Sequence, residues 1–580
     1  MKKNRIFNIL LLVVSITLLV GCGGGGGSGD NSGGGYNPVT PDNDFPTEFN
    51  TLPAFNKEPN VIYTQTCNSS NVAIDLPVGS TYFVTIRNTA PNTQNISLVS
   101  SVTANIRASV TDEPQQIILA NFTDSFIQQD RAEIEMQYRM NFINRLRNRN
   151  NSNVLRSARA GISGVDHSYE KVGSCYDIYT CDLNGNTYCL NNCKLVAETA
   201  HAKFFVDQNT RGGYKPYKDM MESFVTDGDF ALTKVFDGDT VNIYNLMSEK
   251  FGTFHDIDND GKVSVIITPY LSVLSSSLLG LFMHDTMLES FPDPRDHILL
   301  APPINGVNSN KHKHEAVTNL CHEYQHLINF SQRFYRNGKY SFNDDDSEKY
   351  NYELFFDEGS SVCAEALFRR ARGGDNSEHR TYPSLYDYKT GSMNNVEYTG
   401  NDERFNNIFL STDGCFKNVF PFYDPNTDGI NNTRYKKYGL NGLFFLFLHD
   451  RFGSEKFKKL IELPFTGNDL KTVIPQTLGS SESLDELQRD WHLAMQHQYL
   501  LTEQNGVDST NARFKYNDWL KLESHNKQIN SSRSISLEKG FTALYKLTPS
   551  QANSGKNFRF FIKSSGYSTY KNLEINIIKL

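Results

Sequence analysis

The residues best placed to do chemistry lie in the stretch "NLCHEYQHLINF", residues 319–330. The chain has only 14 histidines in 580 residues, yet His322 and His326 stand four apart with Glu323 directly after the first. Val317, Leu320, Tyr324, Leu327 and Ile328 recur at three- and four-residue intervals, so the segment predicts a helix with one buried face. Residues i and i+4 stack on one side of a helix, which lets both imidazoles point at one metal ion. Glu323 sits about 100° round from His322, close enough to reach a water held by that metal without replacing a ligand. This is the H-E-x-x-H pattern, in which two imidazoles hold Zn²⁺ and the glutamate takes a proton from water. Zinc brings the pKa of that water from about 15.7 towards about 7. A carboxylate within hydrogen-bond reach then makes attack on a carbonyl feasible.

Such a centre needs a third protein ligand and an open position for water. Downstream, "YELFFDEGSSVCAEALFRRA" (352–371) predicts a second helix. Glu358 follows His326 after 31 intervening residues, Glu365 lies two turns later on the same face, and Glu353 precedes both. On spacing alone all three stay open as the third ligand.

"CHEYQHLINF" followed by "DEGSSVCAEA" resembles the hyicolysin-type zinc metallopeptidases, within the wider gluzincin group. In that group a helix of the form Asn/Asp-Glu-Gly supplies the third ligand through its glutamate. The resemblance therefore implies His322, His326 and Glu358 as zinc ligands, Glu323 as catalytic base, and proteins or peptides as substrates. It implies an α+β fold whose zincin-like catalytic domain combines a mixed sheet, the H-E-x-x-H helix, a glutamate helix and a helical C-terminal subdomain. "DIDNDGKVSVIITPY" and "LFMHDTML" are similar to the family as well. The likeness covers about 175–500 and is sharp only around the two motifs. Asp357 stands where the family more often has Asn. By analogy with gluzincins, Tyr438 is a candidate donor to the oxyanion, with core packing as the competing reading. "DHILLAPP" (296–303) suits an edge strand that pairs with an extended substrate. His312 and His314 read as exposed polar residues rather than a second metal site. Cys321 and Cys363 fall one on each ligand helix, as a disulfide or as two buried thiols.

A second acidic pattern precedes a predicted strand at Val263. Asp256, Asp258 and Asp260 before Gly261 occupy positions 1, 3 and 5 of an EF-hand-like loop with Gly at 6, which is how oxygen ligands wrap Ca²⁺. Position 12 is Ile267, so the bidentate glutamate is missing. A calcium loop and a plain Asp-Gly turn are equal alternatives.

The elements around these motifs set their address. Lys2, Lys3 and Arg5 precede an apolar run, 6–20, too short for a stable span. It ends in "LVGC", which resembles the bacterial lipobox with Cys22 as the lipidated residue. A Gly/Ser-rich tether follows. This predicts a cell-envelope protein, lipid-anchored to a bacterial membrane with its catalytic domain outside the cytoplasm. Net charge −8 and pI near 6.0 argue against nucleic acid as a partner. Of nine cysteines, Cys175, Cys181, Cys189 and Cys193 cluster at spacings wrong for a zinc knuckle, so two local disulfides are expected.

The domain reading is a signal peptide at 1–22, a tether at 23–55 and an N-terminal β module at 56–125 with alternating strands. A helical basic linker at 126–168 follows, exposed in its later part and open to processing that would make the first module a pro-segment. The metallopeptidase domain runs over 169–505 and a C-terminal β module over 506–580. The rival to an enzyme is a surface binding or adhesion lipoprotein on a peptidase-like scaffold. An intact Glu323 argues against it.

Overall fold

The computed structural model describes residues 50–51, 62–67, 71–77, 80, 82–89, 94–100, 138, 141–142, 145, 166–209, 215–274, 278–288, 291–302, 310–336, 347–373, 392–393, 396–397, 415–416, 433–463, 470–503, 532–537, 542–547, 558–564 and 573–579. Cys22, the expected signal segment and most of the expected tether lie outside them, as do the side chains of Tyr438, Glu353, His312 and His314. The fold is α+β. Among the described residues no helix is long and apolar enough to cross a membrane.

The first strands are β1 (Asn50–Thr51), β2 (Ile62–Cys67), β3 (Asn71–Leu76), β4 (Tyr82–Asn88) and β5 (Gln94–Ser100). The central sheet is built from β6 (Cys175–Cys181), β7 (Thr187–Glu198), β8 (Ala202–Asp207), β9 (Val263–Ile267), β10 (Gly280–Phe282) and β11 (His297–Leu300). Short β12 (Ser392–Met393), β13 (Val396–Glu397) and β14 (Cys415–Phe416) come next. The last are β15 (Ser532–Leu537), β16 (Thr542–Leu547), β17 (Phe558–Ser564) and β18 (Leu573–Lys579).

The two β modules expected at opposite ends are not separate. Two five-stranded sheets, ordered β1-β3-β17-β5-β15 and β14-β16-β4-β18-β2, each mix early and late strands. β17 pairs antiparallel with both β3 and β5, and β18 with both β2 and β4. Edge pairing explains why: a strand with an open edge leaves unpaired N–H and C=O groups, and the late strands supply those partners. Alternate residues Val84, Ile86, Ile575 and Ile577 are buried, as a period-2 pattern requires. The intervening Arg87 and Glu574 are also buried, because a helix, Leu484–Glu503, meets that side. Arg87 donates to the Asp485 carbonyl at 3.0 Å, and Arg489 lies 3.3 Å from Glu574.

The central sheet runs β10-β11-β9-β8-β7-β6. β8, β9 and β11 are parallel neighbours, while β6, β7 and β10 are antiparallel additions. β8 and β9 are buried along their whole length, as strands covered on both faces must be. The segment expected to be the substrate-facing edge is therefore interior: β11 is flanked by β9 and β10, and β10 takes the edge. A three-residue strand after a loop carries too little periodicity to be read from sequence.

The cysteine expectation is corrected as well. Cys175, Cys181, Cys189 and Cys193 are all free thiols. A bulge between Tyr176 and Ile178 shifts the β6/β7 register, so Cys193 sits opposite Tyr176 and Cys189 opposite Tyr179. Cys181 and Cys193 turn into the core while Cys175 is exposed. Cys321 and Cys363 are two buried thiols, whose pKa values burial pushes up. Within the expected basic linker, Tyr138 and Phe142 are buried, and the Tyr138 hydroxyl donates to Asp285 at 3.1 Å.

Candidate metal centre

Three helices build the site. The histidine helix, Asn310–Phe330, buries Val317, Leu320, Tyr324, Leu327 and Ile328 in the main core. That face fixes its rotation and aims His322 and His326 at the glutamate helix, Ser347–Gly373. The glutamate helix is in turn backed by a third helix, Thr433–Phe452, at very close range. A Cβ on Gly359 would lie 2.6 Å from the Phe445 ring, and one on Gly442 would clash with Val362 Cγ1. Gly359, directly after Glu358, and Gly442 thus let these helices approach, and the approach presents Glu358.

One oxygen, Glu358 Oε2, lies 3.4 Å from His322 Nε2 and 3.8 Å from His326 Nε2. The ligand atoms of these three buried residues all fall within 4.8 Å of one another. Two ligand atoms each about 2.1 Å from a tetrahedral ion are about 3.4 Å apart, so the spacing suits a small cation. The His322 Nε2 atom is buried without a hydrogen-bond partner, at a position a metal would satisfy. Two imidazoles and a carboxylate are a donor set zinc accepts, so the residues fit the ion.

Each imidazole is held from behind. Glu365 Oε1 lies 2.7 Å from His322 Nδ1, and Arg369 holds the other Glu365 oxygen at 3.4 Å. His326 Nδ1 lies 3.0 Å from Ser361 Oγ and 3.1 Å from Asp357 Oδ1. Asn329 donates to the same Asp357 oxygen. An Nδ1–H directed at a carboxylate leaves the Nε2 lone pair for a metal. Glu365, open as a third ligand on spacing, is placed here as the partner of His322 instead. Ser361 was missed by sequence reasoning, although it shares a helix face with Glu358 and Glu365. Asp357, noted only as a departure from Asn, contacts His326 directly.

Burial works against a charged His322, but Glu358 and Glu365 outweigh it and raise its pKa to about 10. The pocket thus stabilises positive charge. Glu323 Oε2 accepts the Phe282 N–H of β10 at 2.8 Å. A Cβ on Gly280 would come within 2.8 Å of Glu323 Cγ, so only glycine lets the edge strand run this close to the carboxylate.

Asp256, Asp258 and Asp260 form a separate cluster with carboxylate oxygens within 4.8 Å of one another. Burial and the neighbouring Asp260 push Asp258 up to about 8. Burial and Asp258 raise Asp296 well above the usual carboxylate range.

No family model matches the chain. It is similar to a neutral metalloprotease, ShpI, of Staphylococcus hyicus, at 23% identity over 129 residues. The match takes in 21% of this chain and 27% of that relative, so it spans about a quarter of the relative's length. This partial likeness points to the metallopeptidases as a class, and the His322/His326/Glu358 cluster is able to hold a metal ion.

Proposed function

We propose that the chain is a zinc-dependent endopeptidase, tethered by a lipid at Cys22 to a bacterial envelope, that hydrolyses peptide bonds of extracellular or envelope proteins. The observation that carries this reading is the convergence of His322, His326 and Glu358 with Glu323 one residue from the first ligand. The partial likeness to a neutral metalloprotease supports it, and the lipobox-like "LVGC" supports the tether. When bound, zinc supplies Lewis acidity to a carbonyl oxygen and to water.

The chain's own residues do the rest. His322, His326 and Glu358 hold the ion, with Glu365, Ser361 and Asp357 fixing the imidazole orientations. Glu323 takes one proton from water as the oxygen adds to the carbonyl carbon. It then delivers that proton to the departing amine as the C–N bond breaks. The Phe282 N–H keeps the Glu323 carboxylate in place, and β10 offers the nearest backbone for an extended substrate.

Wild type and Glu323→Gln are compared on casein, with zinc measured in both. Wild type is expected to cleave, to stop with a chelator and to recover with added zinc. Glu323→Gln should keep one zinc and lose about 10³-fold in rate. Equal residual cleavage by both proteins defeats the enzyme reading. Retention of a Cys22→Ala variant in the membrane fraction would defeat the tether.

A further inference from the structure

Apart from the histidine–glutamate cluster, a second group of buried carboxylates among the described residues lies where the 256–261 loop meets the start of β11. Asp258 and Asp296 are both 0% exposed, and neither oxygen of either carboxylate has a hydrogen-bond partner. The loop is already shaped. Asn259 and Gly261 take positive φ, 54° and 75°, and Asp256 accepts the Asp260 and Gly261 N–H groups at 3.2 and 3.0 Å.

The cations nearby do not balance this charge. Lys203 Nζ lies 2.7 Å from Asp260 and 3.0 Å from Glu170, and it also donates to the His167 carbonyl. Arg295 is taken up by Glu170, at 2.8 and 3.3 Å, and by His167. Lys203 and Arg295 therefore stand among six carboxylates, those of Glu170, Asp256, Asp258, Asp260, Asp293 and Asp296. Asp258 and Asp296 are left without a hydrogen-bonding cation where water is excluded. Buried carboxylates with neither cation nor donor are strongly unfavourable.

We propose that Asp256, Asp258, Asp260 and Asp296 bind a calcium ion. An all-oxygen, all-carboxylate donor set suits a hard cation rather than zinc. Ile267 stands where an EF-hand places its bidentate glutamate, and Asp296, one residue before β11, supplies the missing acid from a distant segment. The ion fastens the loop before β9 to the start of β11, where the Ser264 N–H already donates to the Asp296 carbonyl at 3.0 Å. β11 pairs with β10, the strand that carries the Phe282 N–H to Glu323, so the bound ion stiffens the support of the Glu323 carboxylate.

This inference does not rest on the zinc reading, and its test does not use peptidase activity. The full chain, stripped with chelator and reloaded with zinc, is titrated with calcium chloride by calorimetry and then melted with and without calcium. One calcium site and a rise in unfolding midpoint of about 3 °C or more at saturation are expected. Asp258→Asn and Asp296→Asn should lose the heat and the rise while keeping their zinc. Asp256→Asn, at a half-buried position, serves if a core variant fails to fold, and should weaken calcium binding at least about tenfold. Absence of heat and shift in wild type at millimolar calcium, or a full shift in the variants, overturns the proposal.

Discussion

Two clusters among the described residues, His322/His326/Glu358 and Asp256/Asp258/Asp260, bury carboxylates by opposite means. In the first, His322, His326 and Glu358 come from two long helices, and each imidazole Nδ1 faces a side chain of the glutamate helix. In the second, three aspartates come from one tight loop and a fourth from the residue just before β11, and Asp258 and Asp296 face carboxylates rather than donors. Orientation from behind is what a reactive centre needs, because its ligands must hold their geometry while substrate comes and goes. Mutual repulsion among oxygens is tolerable where a hard ion stays bound and only the fold depends on it. On the two proposals above, the same residue type, a buried acid, serves chemistry in one region and cohesion in the other.

The largest way to break this contrast is Glu358→Ala. Zinc affinity should fall about 10²-fold or more with cleavage lost alongside it, while the calcium-dependent midpoint shift stays at its wild-type size. Loss of both responses would mean the clusters are one unit. Glu365→Gln removes only the group behind His322, so zinc affinity or turnover should drop about 10–100-fold, read by competition with a chromogenic chelator. Gly442→Ala tests the helix approach that presents Glu358. Overpacking against Val362 should cost about 1–3 kcal/mol, seen as a lower unfolding midpoint.

The smallest effect is one of pH on metal-free protein. The folded pKa of Asp258, about 8, lies above its ordinary 3.8. A raised carboxyl contributes most below about pH 4, and that contribution is lost as pH rises through about 8. Across this window the wild-type midpoint should fall relative to Asp258→Asn, measured by thermal melts in a pH series. A constant gap would count against repulsion in the second cluster.

Much of the first cluster could be read from sequence because helical periodicity is local. His322 and His326 stack within one turn, and the buried stripe through Leu320 and Leu327 fixes which way they face. Glu365 could be placed on the right face, but spacing could not distinguish a ligand from a partner of Nδ1. The Asp357 contact with His326 and the Gly280 approach to Glu323 depend on packing between distant segments and leave no periodic mark. Asp296 left a faint one: an acid opening the otherwise apolar run "HILL". The terminal strands alternate plainly, yet nothing in alternation reveals that Ile86 and Ile575 become cross-strand partners. The four clustered cysteines misled because their sequence proximity ignores the bulge that turns them to different faces.

That interleaving of early and late strands bears on what proteolysis can do to this chain. A cut in the stretch expected to be open to processing, residues 151–164, would sever the backbone but not the ladders that β17 and β18 form with the first strands. The clipped piece would stay in its berth as a non-covalent subunit, and only a denaturant would set it loose. Processing there would create a two-chain protein of unchanged outline rather than discard a pro-segment.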